Sequence, residues 1–187
     1  MTIRKNLIAI AIGIFLAQAA AAQVFVIGGG LGSECYQKTQ NKYASYRDAE
    51  RICTRALREE TMNRGNRAAT YVNRGVLRMR NGRYDSAIED YANALKVKPD
   101  LGAAYLNKGA AHIYKKDFAG AITPLDRAIE LNSDDIFAAY YNRAIARENI
   151  GDVPGAYDDF MKALELKPGW ELVEGQLSRF EVTPIAG

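Results

Sequence analysis

The sequence predicts an all-α protein, a solenoid of stacked helical hairpins, from two observations. A self-similar segment occurs three times, at steps of 34 and 35 residues. Within each copy, apolar and small residues recur at the three- and four-residue spacing of an amphipathic helix, interrupted once by turn residues. A single hairpin cannot bury its apolar face alone. Stacked copies bury a continuous core, and about three are needed for stability.

Each copy is predicted to form two helices joined by a short turn. Asn81-Gly82 and Gly151 mark the turns, and Pro99 and Pro168 end second helices. Pro124 lies inside a second helix, where a kink costing up to about 3 kcal/mol is expected. The corresponding positions are Tyr71, Tyr105 and Tyr140; Gly75, Gly109 and Ala144; Ala87, Ala121 and Ala156; and Ala94, Ala128 and Ala163.

This pattern resembles the tetratricopeptide repeat (TPR) family, in an exported bacterial form. The resemblance implies a right-handed α-solenoid with repeats over 68–101, 102–136 and 137–170, and a non-catalytic role in binding other proteins. Tyrosines replace the family's usual Trp, and Arg74, Lys108 and Arg143 replace its usual Leu. Some members hold the C-terminal carboxylate of chaperones in the groove. Only Asn107 matches that clamp, since the other matching places carry Val72, Val76, Ala138 and Asn142.

The segments that flank the repeats are predicted to be caps. Residues 34–67 resemble a partial repeat, with helices near 34–40 and 46–60, and residues 171–187 form a capping helix and tail. The helix covers 169–180, with Leu172 and Leu177 facing inward. Cys35 and Cys53 are equally far from the expected turn at residue 44, so an antiparallel hairpin brings them together. A disulfide is predicted; two buried free thiols are the alternative.

The first 22 residues have the order of a secretory signal peptide. Arg4 and Lys5 precede an apolar run over 7–16, and small residues lead to an expected cut after Ala22. The alternative, a membrane anchor, is disfavoured because the run is short for a span. Cleavage lowers the formal charge from +3 to +1. A periplasmic or secreted protein is expected, starting with a flexible, Gly-rich segment over 23–33.

Composition argues against several function classes. The chain has 187 residues, 25 Lys and Arg against 22 Asp and Glu, and a net charge too small to indicate nucleic-acid binding. Its two Cys and one His exclude a four-thiolate zinc site and any mechanism that needs two imidazoles. Residues 24–33 look like a dinucleotide-binding glycine turn, but neither the second strand nor the acidic residue of that fingerprint follows. His112 has no catalytic partner, so the sequence predicts no enzyme, no cofactor and no metal site.

A binding surface is indicated on the first helices of the repeats. Asn73, Asn107 and Asn142 occupy equivalent positions. An amide has donors and an acceptor, so this ladder is suited to bind the main chain of a peptide or helix. Flanking apolar side chains are expected to set preference, unless they pack against neighbouring helices instead. These are Val72, Val76, Leu106, Tyr141 and Ile145.

A basic stripe repeats on the same helices. Two interpretations stay open: ion pairs with acids on the second helices, or attraction of an anionic partner. The predicted function is a non-catalytic exported scaffold that binds a protein or peptide. The alternative is binding of a cell-envelope polymer, such as peptidoglycan or another anionic glycan, through the stripe. Its members are Arg74, Arg78, Lys108, Arg143 and Arg147.

Overall fold

A computed structural model describes residues 2–5, 24–41 and 45–183. In this part of the chain, nine helices follow one another, and one short strand lies near each end. The elements are β1 (Thr2–Lys5), α1 (Leu31–Gln40), α2 (Tyr46–Glu59), α3 (Arg64–Arg80), α4 (Tyr84–Val97), α5 (Gly102–Tyr114), α6 (Phe118–Glu130), α7 (Ile136–Asn149), α8 (Val153–Leu166), α9 (Glu171–Leu177) and β2 (Phe180–Thr183).

The helices stack as hairpins, which confirms the predicted all-α solenoid. Helix α3 packs on α4, α5 on α6 and α7 on α8, and each hairpin also packs on the next. The first helices α1, α3, α5 and α7 are neighbours in that order. Three apolar clusters follow the repeats, centred on Tyr91, Leu125 and Phe160, which are fully buried. These three residues occupy the same position in successive repeats.

The helix ends explain why the chain turns where it does. Asp117 and Asp152 cap α6 and α8 by accepting hydrogen bonds of 3.0 Å from the amides of Gly120 and Gly155. Gly82 and Gly151 have φ of 73° and 91° in the turns inside repeats one and three. Such angles favour glycine because it has no Cβ.

A close approach between paired helices accounts for the small residue in the middle of each first helix. A Cβ on Gly75 would lie 2.5 Å from Cε1 of Tyr91, whose side chain is fully buried. The same position of repeat two, Gly109, faces Leu125 in the same way. The glycines therefore let a large side chain of the second helix fill the space between the two backbones.

Replacing Gly75 with Ala is expected to lower the free energy of unfolding by about 1 kcal/mol or more. Overpacking a closed core costs about 1–3 kcal/mol, which exceeds the ~1 kcal/mol that Ala gains over Gly in a helix. Urea unfolding followed by circular dichroism measures the change. Gly175 of α9 is the matched control, because a Cβ there meets nothing within 4 Å. Equal responses from Gly75→Ala and Gly175→Ala would contradict the explanation.

Helix α6 continues through Pro124, which is buried in its middle. The proline does not end the helix, which is one element from Phe118 to Glu130, and the expected kink stays a prediction. Pro124 and Leu125 lie side by side on its buried face. Apolar contact between this ring and the core offsets part of the cost of the missing amide.

The N-terminal cap is a hairpin, as predicted, with different bounds. Helix α1 begins at Leu31 rather than at 34, and residue 44, where the turn is expected, lies outside the described residues. The Sγ atoms of Cys35 and Cys53 are 2.05 Å apart, so the predicted disulfide is present in the structure. Both cysteines are fully buried in a small cluster with Ala49, Ile52 and Leu77. The disulfide therefore ties the cap together beside the first repeat.

The C-terminal cap differs from the predicted helix over 169–180. Helix α9 ends at Leu177, and Phe180 begins a strand that pairs antiparallel with β1. The reason is the buried ring of Phe180, which packs on Tyr157 and Phe160 at centroid distances of 5.7 and 6.0 Å. Val173 is fully buried in this cap, whereas Leu172 and Leu177 are half-buried.

The predicted signal segment lies mostly outside the described residues, which include only 2–5 of its 22. Across the described part of the chain, none of the helices has the length and hydrophobicity that crossing a bilayer requires.

Candidate functional site

The asparagine ladder lies on α3, α5 and α7, and its members are buried. Asn73 and Asn107 are fully buried and Asn142 is 4% exposed. A buried amide must find hydrogen-bond partners, since an unpaired one costs about 1–3 kcal/mol. The partners of these three residues therefore show what kind of group this face of the helices binds.

Asn73 binds a peptide unit of its own chain. Its Nδ2 donates to the carbonyl of Val24 at 2.9 Å, and its Oδ1 accepts from the Val24 amide at 3.3 Å. Asn73 thus binds a main-chain peptide unit within the chain, and its predicted role toward a partner stays a prediction. The segment over 23–33 was expected to be flexible. Instead, the structure seats residues 24–27 against α3 and begins α1 at Leu31.

Asn66 makes the same pair of bonds and was missed by sequence reasoning. Its Nδ2 donates to the carbonyl of Ile27 at 2.7 Å, and its Oδ1 accepts from the Ile27 amide at 3.1 Å. Asn66 lies seven residues before Asn73, which places both amides on one face of α3. That spacing was the available signal, but Asn66 has no equivalent Asn in the other repeats.

The third member of the ladder has unused donor capacity. Among the described residues, Nδ2 of Asn142 is buried and has no hydrogen-bond partner, and the same holds for the hydroxyl of Tyr141. Burial raises the pKa of Tyr141 to about 12, so this hydroxyl keeps its proton and can also donate. Two adjacent residues of α7 therefore carry buried donors without an acceptor in the described part of the chain.

Most of the apolar residues expected to line the groove belong to the core instead. Val72 and Val76 are fully buried in the repeat-one cluster, and Leu106 is 1% exposed between α5, α6 and α7. Tyr141 is 2% exposed and packs on Trp170 and Phe160. The periodic pattern identified an apolar face, and neighbouring helices cover it. Ile145 is the exception, because it remains half-buried.

The basic stripe consists largely of ion pairs between helices. Arg74 binds Asp90 through Nη2–Oδ1 at 2.6 Å and Nε–Oδ2 at 3.0 Å, and Arg78 binds the same carboxylate at 2.9 Å. The side chain of Asp90 is 1% exposed. Burial raises the pKa of this carboxyl, while the two guanidinium groups oppose the rise. The pairing supports the first of the two interpretations of the stripe.

Repeat three repeats this arrangement closely. Arg143 binds Asp159 through Nε–Oδ2 at 2.8 Å and Nη2–Oδ1 at 2.7 Å, and Arg147 binds the same carboxylate at 2.9 Å. Arg143 also donates to Asp126 of the preceding repeat at 2.6 Å. In repeat one, Arg74 donates at 3.1 Å to Thr54 of the cap. Thr54 in α2 is equivalent in sequence to Asp126 in α6. The arginines therefore connect neighbouring hairpins as well as the two helices of one hairpin.

Repeat two lacks the buried carboxylate. Lys108 and His112 replace the two arginines, and Pro124 stands where the aspartate would be. Lys108 is half-buried. Nδ1 of His112 lies 2.8 Å from Asp117, the residue that caps α6. The hydrogen bond from His112 lowers the pKa of Asp117. His112 thus has a structural partner at the turn between α5 and α6.

Two consecutive acidic residues, Asp134 and Asp135, directly precede helix α7. Asp135 is the residue before α7, and burial and the neighbouring Asp134 raise its pKa. Among residues 2–5, 24–41 and 45–183, no three His, Cys, Asp or Glu side chains are grouped to hold a metal ion. The glycine turn over 28–30 leads into α1, where the amide of Gly32 donates to the Glu60 carboxylate at 2.8 Å. A carboxylate of the chain itself thus sits where that motif would place a phosphate.

Comparison with known proteins agrees with this architecture. Residues 72–136 match the tetratricopeptide repeat family. The chain therefore contains tetratricopeptide repeats over these residues. Protein unc-45 homolog B of Mus musculus is 34% identical over 88 residues, which are 46% of this chain and 9% of the relative. This TPR chain spans only about a tenth of the length of the curated relatives that it matches first.

Solved structures show the same fold over most of the chain. The crystal structure of MamA is 23% identical, with a TM-score of 0.67, and the match covers 81% of this chain and 82% of MamA. The second TPR domain of human RPAP3, solved in complex with the HSP70 peptide SGPTIEEVD, is 25% identical with a TM-score of 0.59. That match covers 62% of this chain and 96% of the domain.

Proposed function

We propose that this TPR protein is a non-catalytic, exported scaffold that binds an extended segment or helix of a protein partner in its groove. The observation that carries the proposal is the pair of hydrogen bonds between Asn73 and the main chain of Val24. These bonds involve only atoms that every residue except proline has, so they recognise a peptide irrespective of its side chains. Asn142 occupies the position of Asn73 in repeat three, and its buried amide nitrogen has no hydrogen-bond partner among the described residues.

The human RPAP3 domain supports a peptide as the class of ligand, since it was solved with one. Its manner of binding is not carried over. Val72 and Val76 replace the basic and amide residues that a carboxylate clamp needs, and both are buried in the core. The proposed ligand is therefore an internal stretch of a partner rather than a free C-terminus.

Export is proposed from the signal-like start of the chain and is supported by the disulfide. Disulfides persist in oxidising compartments such as the periplasm and are rare in reducing ones. The proposed location is the periplasm or the exterior of a bacterium, after cleavage behind Ala22. The alternative, binding of an anionic envelope polymer, is less well supported because Arg74, Arg78, Arg143 and Arg147 already share carboxylates.

The experiment is photo-crosslinking in the native compartment from a benzoyl-phenylalanine at position 145. Ile145 is half-buried beside Asn142, so the probe reaches the groove, which the buried Leu106 would not allow. One dominant protein adduct is expected. Asn142→Ala should reduce its yield about fivefold, because one hydrogen bond contributes about 1 kcal/mol. Mass spectrometry identifies the partner and reads the N-terminus of the chain.

Asn93→Ala is the matched control, since Asn93 is half-buried on α4, outside the ladder. Its adduct yield should equal that of the wild type. Loss of all protein adducts, together with salt-sensitive sedimentation of the chain with cell-wall material, would favour the polymer alternative. An N-terminus at Met1 would contradict the export part of the proposal.

A further inference from the structure

We propose that one face of α3 is a binding site for an extended peptide, and that residues 24–27 occupy it as an internal ligand. This site is defined by Asn66 and Asn73. The inference rests on the proposed function, because it names the class of ligand and the control of the same groove. A partner segment would bind at α3 only after residues 24–27 have left it.

The spacing of the two amides selects an extended chain. Seven helical residues separate Asn66 from Asn73, which is a rise of about 10 Å. The bound residues, Ile27 and Val24, are only three apart, and three residues cover about 10 Å only when the chain is nearly fully extended. A helical ligand already uses its amides and carbonyls in its own hydrogen bonds, so it would not offer both groups of one residue to each asparagine. The site therefore favours an extended segment over a helix.

The side chains of the segment divide into an inner and an outer pair. Val26 is 3% exposed, and Val24 packs on the core cluster of repeat one. Phe25 and Ile27 are 64% and 73% exposed. The site thus requires small branched apolar side chains at two positions separated by one residue. It places little constraint on the position of Ile27, whereas the ring of Phe25 contacts Tyr36 of α1 at a centroid distance of 5.2 Å.

The connection to α1 allows the segment to detach. Residues 28–30 are all glycine, and Gly28 and Gly30 have φ of 105° and 91°. After these glycines, the amide of Gly32 donates to the Glu60 carboxylate at 2.8 Å. Helix α1 is therefore held in place independently of residues 24–27. The proposed cut after Ala22 would make the segment the start of the mature chain. Its release then requires breaking the four hydrogen bonds of Asn66 and Asn73 and exposing two valines.

The test is the binding of a labelled peptide, residues 23–30 with fluorescein on an added C-terminal lysine, to variants of the full chain. The release variant carries Val24→Ser and Val26→Ser, and its control carries Ile27→Ser, because Ile27 is 73% exposed whereas Phe25 contacts Tyr36. A tethered segment competes at a millimolar effective concentration, so the release variant should bind at least about tenfold more tightly than wild type. The control should behave like wild type. Fluorescence anisotropy measures each affinity.

Adding Asn66→Ala and Asn73→Ala to the release variant should reduce its affinity for the peptide by about tenfold or more. Unchanged helicity and melting in circular dichroism exclude unfolding as the cause. Equal binding by the wild type and the release variant, or binding that is indifferent to the two asparagines, would overturn the inference. If the adduct from position 145 persists in that case, the proposed function stands without the internal ligand. If the adduct is absent as well, the proposed function fails with it.

Discussion

Replacing Asp159 with Asn is expected to lower the free energy of unfolding by about 3 kcal/mol. Asp159 is the shared acceptor of Arg143 and Arg147, and its side chain is 4% exposed. Asn keeps the shape but not the charge, so two guanidinium groups lose their counter-ion in a largely buried place. Removing one partner of a buried ion pair typically costs about 3–5 kcal/mol. The lower end applies here because Arg147 remains 26% exposed.

Urea unfolding of the purified chain measures this loss, and Asp126→Asn is the control. Asp126 also accepts from Arg143, at 2.6 Å, but its side chain is 42% exposed. Pairs with that exposure contribute about 0–1 kcal/mol. Asp90→Asn should behave like Asp159→Asn, since Arg74 and Arg78 are bound in the same way. Similar losses for Asp126→Asn and Asp159→Asn would show that burial is not what makes the shared carboxylate important.

The ion pairs of the arginines also explain why the repeats differ from the usual family pattern. The sequence alone shows this difference but not its cause. Arg74 and Arg143 stand where the family usually has Leu, and each binds an aspartate 16 residues later. Repeat two has Lys108 and Pro124 at these two positions. The two substitutions occur together, because a buried aspartate without its arginines would be an unpaired charge. Comparing the repeats with one another, rather than with the family, would have revealed this pairing.

Sequence periodicity predicted the hairpins well because burial repeats with the helix. The turns at Gly82 and Gly151 and the small residue at Gly75 follow from local geometry, which a short stretch of sequence encodes. The burial of Leu106 does not follow from local geometry, because periodicity identifies an apolar face without showing which element covers it. Residues 24–27 have no helical period, and their partners lie 39 and 49 residues away in the chain. Neither local propensity nor repeat matching places such a segment.

The candidate site itself stays a prediction, and the sequence indicates only some of the contacts that the structure shows there. Asn73 was identified as a main-chain binder from its recurrence and its amide chemistry. Asn66 also binds a main-chain peptide unit, but the other repeats have no equivalent Asn, so a comparison of the repeats would not identify it. Among the residues predicted to bind a partner, Ile145 is half-buried, and Asn142 has a buried amide nitrogen without a partner in the described part of the chain.

Replacing both Cys35 and Cys53 with Ala is expected to lower the free energy of unfolding of the cap by about 3 kcal/mol. The disulfide joins residues 18 apart, and the chain-entropy model assigns about 3 kcal/mol to a loop of that size. Because each hairpin of a solenoid contacts only its neighbours, the loss should concentrate at the N-terminal end. The contacts at risk are those that join the cap to repeat one: Arg74–Thr54, Arg78–Glu50 and Arg80 to the carbonyl of Thr39.

Hydrogen exchange distinguishes a local loss from a global one. Amides of α1 and α2 should exchange about 100-fold faster in the double variant, since 3 kcal/mol corresponds to roughly two powers of ten when opening is local. Amides of α7 and α8 should be unaffected. A reductant should produce the same profile in the wild type and leave the double variant unchanged. Uniformly faster exchange through α8 would mean that the cap and the repeats unfold as one cooperative unit, and that the disulfide stabilises the whole solenoid.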